Sequence, residues 1–322
     1  MRWLAALVLA VAALAPSEAG AAASLGAWKI ATASVQGPMV LYRMINVDGA
    51  QFRAIRLIAG HVVLRWHDGL QDPPATVTAL PADASSAVDW TNEGPAGVVA
   101  LFNGGFKVGD KAGGSVVDGV VLSPLLPSEA TIALNASGQW EMGVWGAPNF
   151  PTANFHPIAI RQNLPPLVQA GQVAPSALAG EWGQWGSPLL GKSLVPRSAL
   201  GMDAQGNLVY LASTKGVLPA QLGAALLAAG VRFGMALDMN PYWPTLGASF
   251  APLHRPGPLP VQIPYSSHNP AMYFTGWERD FFVAVAQSTT PGCSWQSPGL
   301  HRPATARGPA QPQPLRLVCH SA

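Results

Sequence analysis

The chain has 322 residues, 49% of them hydrophobic and only 11% charged, with a formal net charge of +2. That length can build one large core, while the charged share lies far below the usual ~25%. So few cations offer no basic stripe to follow a phosphate backbone, and nucleic acid is not expected as a partner.

The N-terminus reads as an export signal. Arg2 supplies the positive charge, Leu4 to Ala15 the apolar stretch, and Ala21-Ala22-Ala23 the small residues that precede cleavage at Ser24. Residues 1–23 are therefore expected to be removed, leaving a secreted or periplasmic protein, and the Ala- and Pro-rich composition has a bacterial character. No later apolar run reaches the roughly 18 residues that span a bilayer. The run from Leu218 stops at Gly230, with Arg232 behind it, so no transmembrane segment is expected after cleavage.

From Val40 to Trp66 short apolar and polar runs alternate around turn signals at Asp48-Gly49 and Ala59-Gly60, the pattern of a hairpin or meander. Val98 to Phe102 is a continuous β-branched and aromatic run that delivers the chain into Asn103-Gly104-Gly105, and Val116 to Leu122 predicts a hairpin about Asp118-Gly119. Farther on, Trp140, Trp145, Trp182 and Trp185 stand among glycines and prolines, and Pro165-Pro166 rules out a long helix. Such rings can build sugar-stacking loops, but satellite core is the commoner use.

The clearest helix starts at Pro219, presents Leu222, Ala225, Leu226 and Ala229 on one face and stops at Gly230. With a strand before it at Leu208 to Ala212 and another after it at Gly234 to Leu237, it predicts a crossover unit, which sets Asp238 at the C-terminal end of a buried strand. Cys293 and Cys319, an even pair in an exported chain, predict a disulfide worth about 3.5 kcal/mol that pins the Pro-rich stretch from Pro298 to Pro314. The expected organisation is thus a signal peptide over 1–23, one domain over 24–292 and a pinned tail over 293–322.

Three segments carry the candidate chemistry: Asn103-Gly104-Gly105-Phe106, Pro196-Arg197-Ser198-Ala199-Leu200-Gly201 and Ala236-Leu237-Asp238. In this order, across 101–246, the chain resembles the phosphodiester glycosidase family. That family has an Asn-Gly-Gly-Phe-like turn, then a Pro-Arg-Thr-Ala-like strand, then a helix running into Ala-Leu-Asn-Leu-Asp-Gly-Gly-Gly-Ser. After Asp238 the chain departs, with Met239-Asn240-Pro241 in place of the glycine run; this adds side chains at the site and removes one backbone donor.

The resemblance implies an α+β fold, a largely antiparallel twisted sheet with a few packed helices, and the hydrolysis of sugar-1-phosphodiesters. It assigns Asp238 to the anomeric centre, where a carboxylate steadies an oxocarbenium ion, and Arg197 to the departing phosphate ester, whose oxygens its planar fork matches. Asn103, Gly104, Gly105 and Asn240 are the substrate-binding candidates, and the partner is a carbohydrate or glycopolymer, in the cell envelope for example. Each has a rival reading: a structural turn for Asn-Gly-Gly, a surface ion pair for Arg197, turn-amide capping for Asp238. On those readings the chain is a glycopolymer-binding or envelope-associated protein on the same scaffold.

No cofactor or metal is expected. The seven histidines show no His-x-x-x-His spacing, and Gly-x-Ser-x-Gly is absent. His67-Asp68 reads as a solvated turn pair, and Asn135-Ala136-Ser137 as an accidental sequon.

Overall fold

The computed structural model describes residues 23–72, 86–187, 194–263, 266–287, 293–296 and 316–319. The expected signal segment up to Ala22 and the Pro298 to Pro314 stretch lie outside them.

Every strand pair among the described elements is antiparallel. A nine-stranded sheet carries Gly37–Val47, Ala50–Leu57, Leu208–Ser213, Arg197–Asp203 and Val231–Met239 side by side. A five-stranded sheet sets Val98–Asn103 between Leu246–Leu253 and Phe281–Ala286, and another is built on Ala130–Asn135 and Pro157–Gln162. Among the described residues only Pro175–Leu178 and Pro219–Ala228 are α-helical. The antiparallel sheets are as expected, but the chain is mostly β rather than a balanced α+β mixture.

Strands here read as unbroken apolar runs because they are covered on both faces. Phe282 and Ala284 enter the central core with Phe102, Tyr210 and Met235, while Phe281, Val283 and Val285 point the other way onto Val88, Tyr273 and Phe274. The period of two places alternate residues in two separate cores. On the far side of the large sheet, Leu222, Ala225 and Leu226 of the longer helix pack on Phe52, Val209, Leu211 and Ala236.

That helix begins and ends as its sequence dictates. Pro219 occupies the first turn, the Gln221 side chain accepts from the Leu218 N–H at 3.0 Å, and Gly230 takes φ +90° just past the end. Arg43 and Arg56 donate to the carbonyls of Ala228 and Ala229, both at 2.7 Å, where cations suit the negative end of the helix dipole. The flanking strands Leu208–Ser213 and Val231–Met239 both run antiparallel to Arg197–Asp203 and so are parallel to each other, one strand apart. The crossover therefore exists with an intervening strand, and that strand is the one that begins at Arg197.

His67 and Asp68 are not a solvated pair. Both are buried, His67 Nε2 meets Glu93 Oε1 at 2.7 Å, and burial raises the Asp68 carboxyl to about 6. His67 ends the strand Val62–His67, the edge strand that pairs with Phe281–Ala286, and Asp68 follows it; both are buried although the strand stands at the rim of its sheet.

The strands Cys293–Gln296 and Arg316–Cys319 pair with Cys293 directly opposite Cys319. Directly opposed residues of an antiparallel ladder hold their Cα atoms about 4.5–5.5 Å apart, inside the ~4.4–6.8 Å span of disulfides. Thiol titration of the unfolded, unreduced mature protein is expected to find no free thiol, and two would refute the bridge.

Candidate active site

Asn103 closes its strand at the seam between two sheets. Its Oδ1 accepts from the Tyr210 hydroxyl at 2.7 Å and the Thr245 N–H at 3.0 Å, and its Nδ2 donates to Gly104 O at 2.8 Å and Ser198 Oγ at 3.0 Å. Four bonds use the whole capacity of a carboxamide. Asn103 therefore ties the sheets together and has nothing left to offer a ligand.

The two glycines are required by close approach. A Cβ on Gly104 would stand 2.1 Å from Asp280 Oδ2, and one on Gly105 would stand 2.8 Å from Asn163 Oδ1. Their amides point at Asp280: Gly104 N–H donates to its backbone oxygen at 2.9 Å and Gly105 N–H to its Oδ2 at 3.2 Å. The turn thus cradles a carboxylate of this chain. Gly104 O in turn accepts from the Asp238 N–H at 3.2 Å, which seats the turn against the end of the strand Val231–Met239.

Asp238 is buried, with Oδ1 accepting from the Met239 N–H at 2.8 Å and Oδ2 from Arg279 Nη2 at 2.7 Å. Arg279 Nη2 also donates to Gly105 O at 3.0 Å, and its Nε lies 3.4 Å from Asp72 Oδ2. Beside this pair, Arg161 Nε meets Asp280 Oδ2 at 2.7 Å with both side chains 1% exposed, and Trp66 Nε1 donates to the same oxygen at 3.0 Å. Two guanidiniums therefore face three carboxyls, and one retained proton would balance the cluster. Burial pushes the Asp238 carboxyl up to about 7, outweighing the opposing pull of Arg279.

A carboxyl raised in the folded state keeps its proton where the unfolded chain has released it. Between pH ~4 and about 7 this group therefore removes stability as pH rises, since the unfolded state binds fewer protons. Urea titrations of wild type and Asp238→Asn across that window are expected to show the advantage of wild type shrinking as pH rises. A constant difference would place the ionisation elsewhere.

Arg197 forms no surface ion pair. It is 2% exposed, stands opposite Met239 in the ladder, and donates from Nη1 to Trp185 O at 2.6 Å, while Nε and Nη2 are buried with no acceptor among the described residues. Burial lowers its guanidinium to about 10. Unpaired buried N–H groups of a cation are costly, and an anion would satisfy them. Asn240 is also buried, with φ +77°, and its N–H donates to Pro196 O at 2.9 Å, which ties the loop after Asp238 to the segment before Arg197. The fold thus joins Asp238 to the Asn103-Gly104-Gly105 turn, but the guanidinium that meets its carboxylate is Arg279 and not Arg197.

Arg279, Asp280, Arg161 and Asp72 escaped the sequence reading. The available signal was Glu278-Arg279-Asp280 directly before the strand Phe281–Ala286, a charge run in a charge-poor chain. The tryptophans between Gly138 and Gly191 serve the core where they are described: Trp185 is buried, Trp140 Nε1 donates to Gly206 O at 2.9 Å, and Trp145 packs edge-on to Phe150. The Trp182 side chain lies outside the described residues. Aromatic rings gather at the site from another segment, with the Trp243 ring 4.7 Å from Arg279 Cζ and 5.7 Å from Lys107 Nζ.

Residues 96–238, from the approach to the Asn-Gly-Gly turn to Asp238 itself, match the model of the phosphodiester glycosidase family. Over this segment the chain is similar to that family. The match ends where Met239-Asn240-Pro241 begins. No curated protein matches the sequence. Among solved structures, the catalytic domain of zebrafish N-acetylglucosamine-1-phosphodiester alpha-N-acetylglucosaminidase, auto-inhibited by its pro-peptide, is 13% identical, with 81% of this chain and 88% of that chain covered and a TM-score of 0.49. A hypothetical protein from Synechocystis is 13% identical over 77% of this chain and 62% of that one, with a TM-score of 0.45.

Proposed function

We propose that the protein is an exported hydrolase of sugar-1-phosphodiesters, such as those in cell-envelope glycopolymers. Residues 1–23 are its signal, and the Cys293–Cys319 bridge pins its Pro-rich end. The observation that carries this reading is Asp238, a buried carboxyl at the end of the family-matched segment, poised near neutrality between the Met239 amide and Arg279. In the reaction the bond from C1 to the phosphate oxygen breaks, its electron pair stays with the phosphate ester, and water supplies the new anomeric hydroxyl. Asp238 faces the positive charge that develops at C1 and takes the proton that water gives up. The leaving group is already a stable anion, so it needs a fixed cation more than an acid, and Nε and Nη2 of Arg197, which have no acceptor among the described residues, suit its oxygens.

A second reading is a glycopolymer-binding protein without turnover. It is favoured by one observation: Asn103, both glycine amides and both Asp238 oxygens are engaged within the chain. The test is release of reducing sugar from methyl phosphodiesters of glucose, galactose, mannose and N-acetylglucosamine 1-phosphates by purified wild type. Turnover of any one supports the hydrolase. Glycopolymer affinity with no turnover supports the binding protein, and neither property rejects both.

A further inference from the structure

Beyond the family-matched segment the chain runs Pro241-Tyr242-Trp243-Pro244, two prolines flanking two aromatic residues. This loop is tied to a second one: Ser267 Oγ donates to Pro241 O at 2.6 Å, and Ser266 Oγ to Pro244 O at 3.0 Å. The ties bring His268 to Trp243, with ring centroids 6.2 Å apart and planes 30° from parallel, and to Tyr242 at 6.3 Å. Trp277 closes on the other side of His268, edge-on at 4.8 Å. Burial lowers the His268 pKa below its ordinary value, so at neutral pH this ring is uncharged.

Two features make the cluster more than packing. Tyr242 is 49% exposed although it is held by neighbours on one side, so a flat ring is presented to solvent by a fixed loop. Trp243 lies over Arg279, the residue whose Nη2 meets Asp238, and over Lys107, which makes no ion pair among the described residues. The rings therefore border the Asp238 site beside a cation that has no carboxylate partner among the described residues. Sugar rings offer an apolar C–H face to aromatic rings, and an ester phosphate on the same sugar needs a positive charge nearby.

We infer that Tyr242, backed by Trp243 and His268, forms a stacking subsite for a pyranose ring, with Lys107 meeting the anionic ester that the ring carries. The inference rests on the sugar-phosphodiester reading above and deepens it: the rings supply, by side-chain contact, a hold on the sugar where a glycine run would offer only backbone. Preorganisation by the two serine ties and the two prolines limits the entropy lost on binding.

The test measures calorimetric affinities of the full mature chain for the same four methyl phosphodiesters and for dimethyl phosphate, which has no ring. Tyr242→Ala is expected to weaken the best sugar ester about tenfold and to leave dimethyl phosphate unchanged, while Tyr242→Phe stays within about twofold of wild type. Lys107→Ala is expected to weaken both kinds of ligand. Tyr242 sits on the surface, so its variants are expected to fold, and circular dichroism checks this. Equal affinity of wild type and Tyr242→Ala, an equal loss for dimethyl phosphate, or no binding of any of the four sugar esters overturns the subsite. Tyr242-dependent binding without hydrolysis instead sinks the hydrolase and leaves the subsite standing, whereas hydrolysis with an unchanged KM in Tyr242→Ala sinks only the subsite.

Discussion

Asp238→Asn is expected to lower kcat/KM for sugar-1-phosphodiester hydrolysis by about a thousandfold or more, with the fold retained. The amide oxygen of Asn can still accept from either the Met239 N–H or Arg279, so one of the two local bonds persists while the negative charge opposite the anomeric carbon is lost. Because the carboxyl titrates at about 7, wild-type kcat/KM is expected to climb as pH rises through that value, and the variant to lack the step. Arg197→Lys is expected to do less damage, since a positive charge survives and only the fork geometry is lost. Both are read from initial rates of sugar release, with circular dichroism to establish the fold. A variant at Asp238 that keeps a tenth of wild-type activity would remove that residue from the chemistry.

Asp280→Ala is expected to have the largest effect on stability. One carboxylate satisfies Arg161, Trp66 Nε1 and the Gly105 N–H, and its ion pair is sealed from water. Removing it leaves a buried guanidinium without a counter-charge, which costs about 3–5 kcal/mol. With an m-value of about 2–3 kcal/mol/M, the urea midpoint should fall by about 1–2.5 M. Arg161→Met combined with Asp280→Ala is expected to cost less than the sum of the two single changes, because neither charge is then left alone. Additive losses would show that the pair is not coupled. Activity in the single variant should fall with the fold, since Asp280 also positions the turn that holds the Asp238 N–H.

What the sequence by itself determined is what short-range rules govern. Pro219 and Gly230 bound the helix because one fixes φ for a first turn and the other relieves strain just past the last. Val98 to Phe102 is a strand because a run of that kind fits a sheet covered on both faces, and Asp238 stands at a strand end because the crossover delivers it there. Asn103-Gly104-Gly105 was legible as a special turn, but its purpose was not: the glycines make room for Asp280, and the asparagine spends its bonds on Tyr210, Thr245 and Ser198.

Only the tertiary structure decided the rest. Arg161, Asp72, Asp238 and the adjacent pair Arg279-Asp280 come from four separate segments, and pairing between strands far apart in the chain leaves no periodic mark. Pattern reading weighs each charged residue alone and assigns it to solvent, whereas low-dielectric burial makes five of them one electrostatic unit. The same limit applies to the aromatic rings. Trp185 and Trp243 look alike in sequence, yet one is enclosed by the core and the other lies over Arg279, because exposure is set by what the remainder of the chain places above each ring.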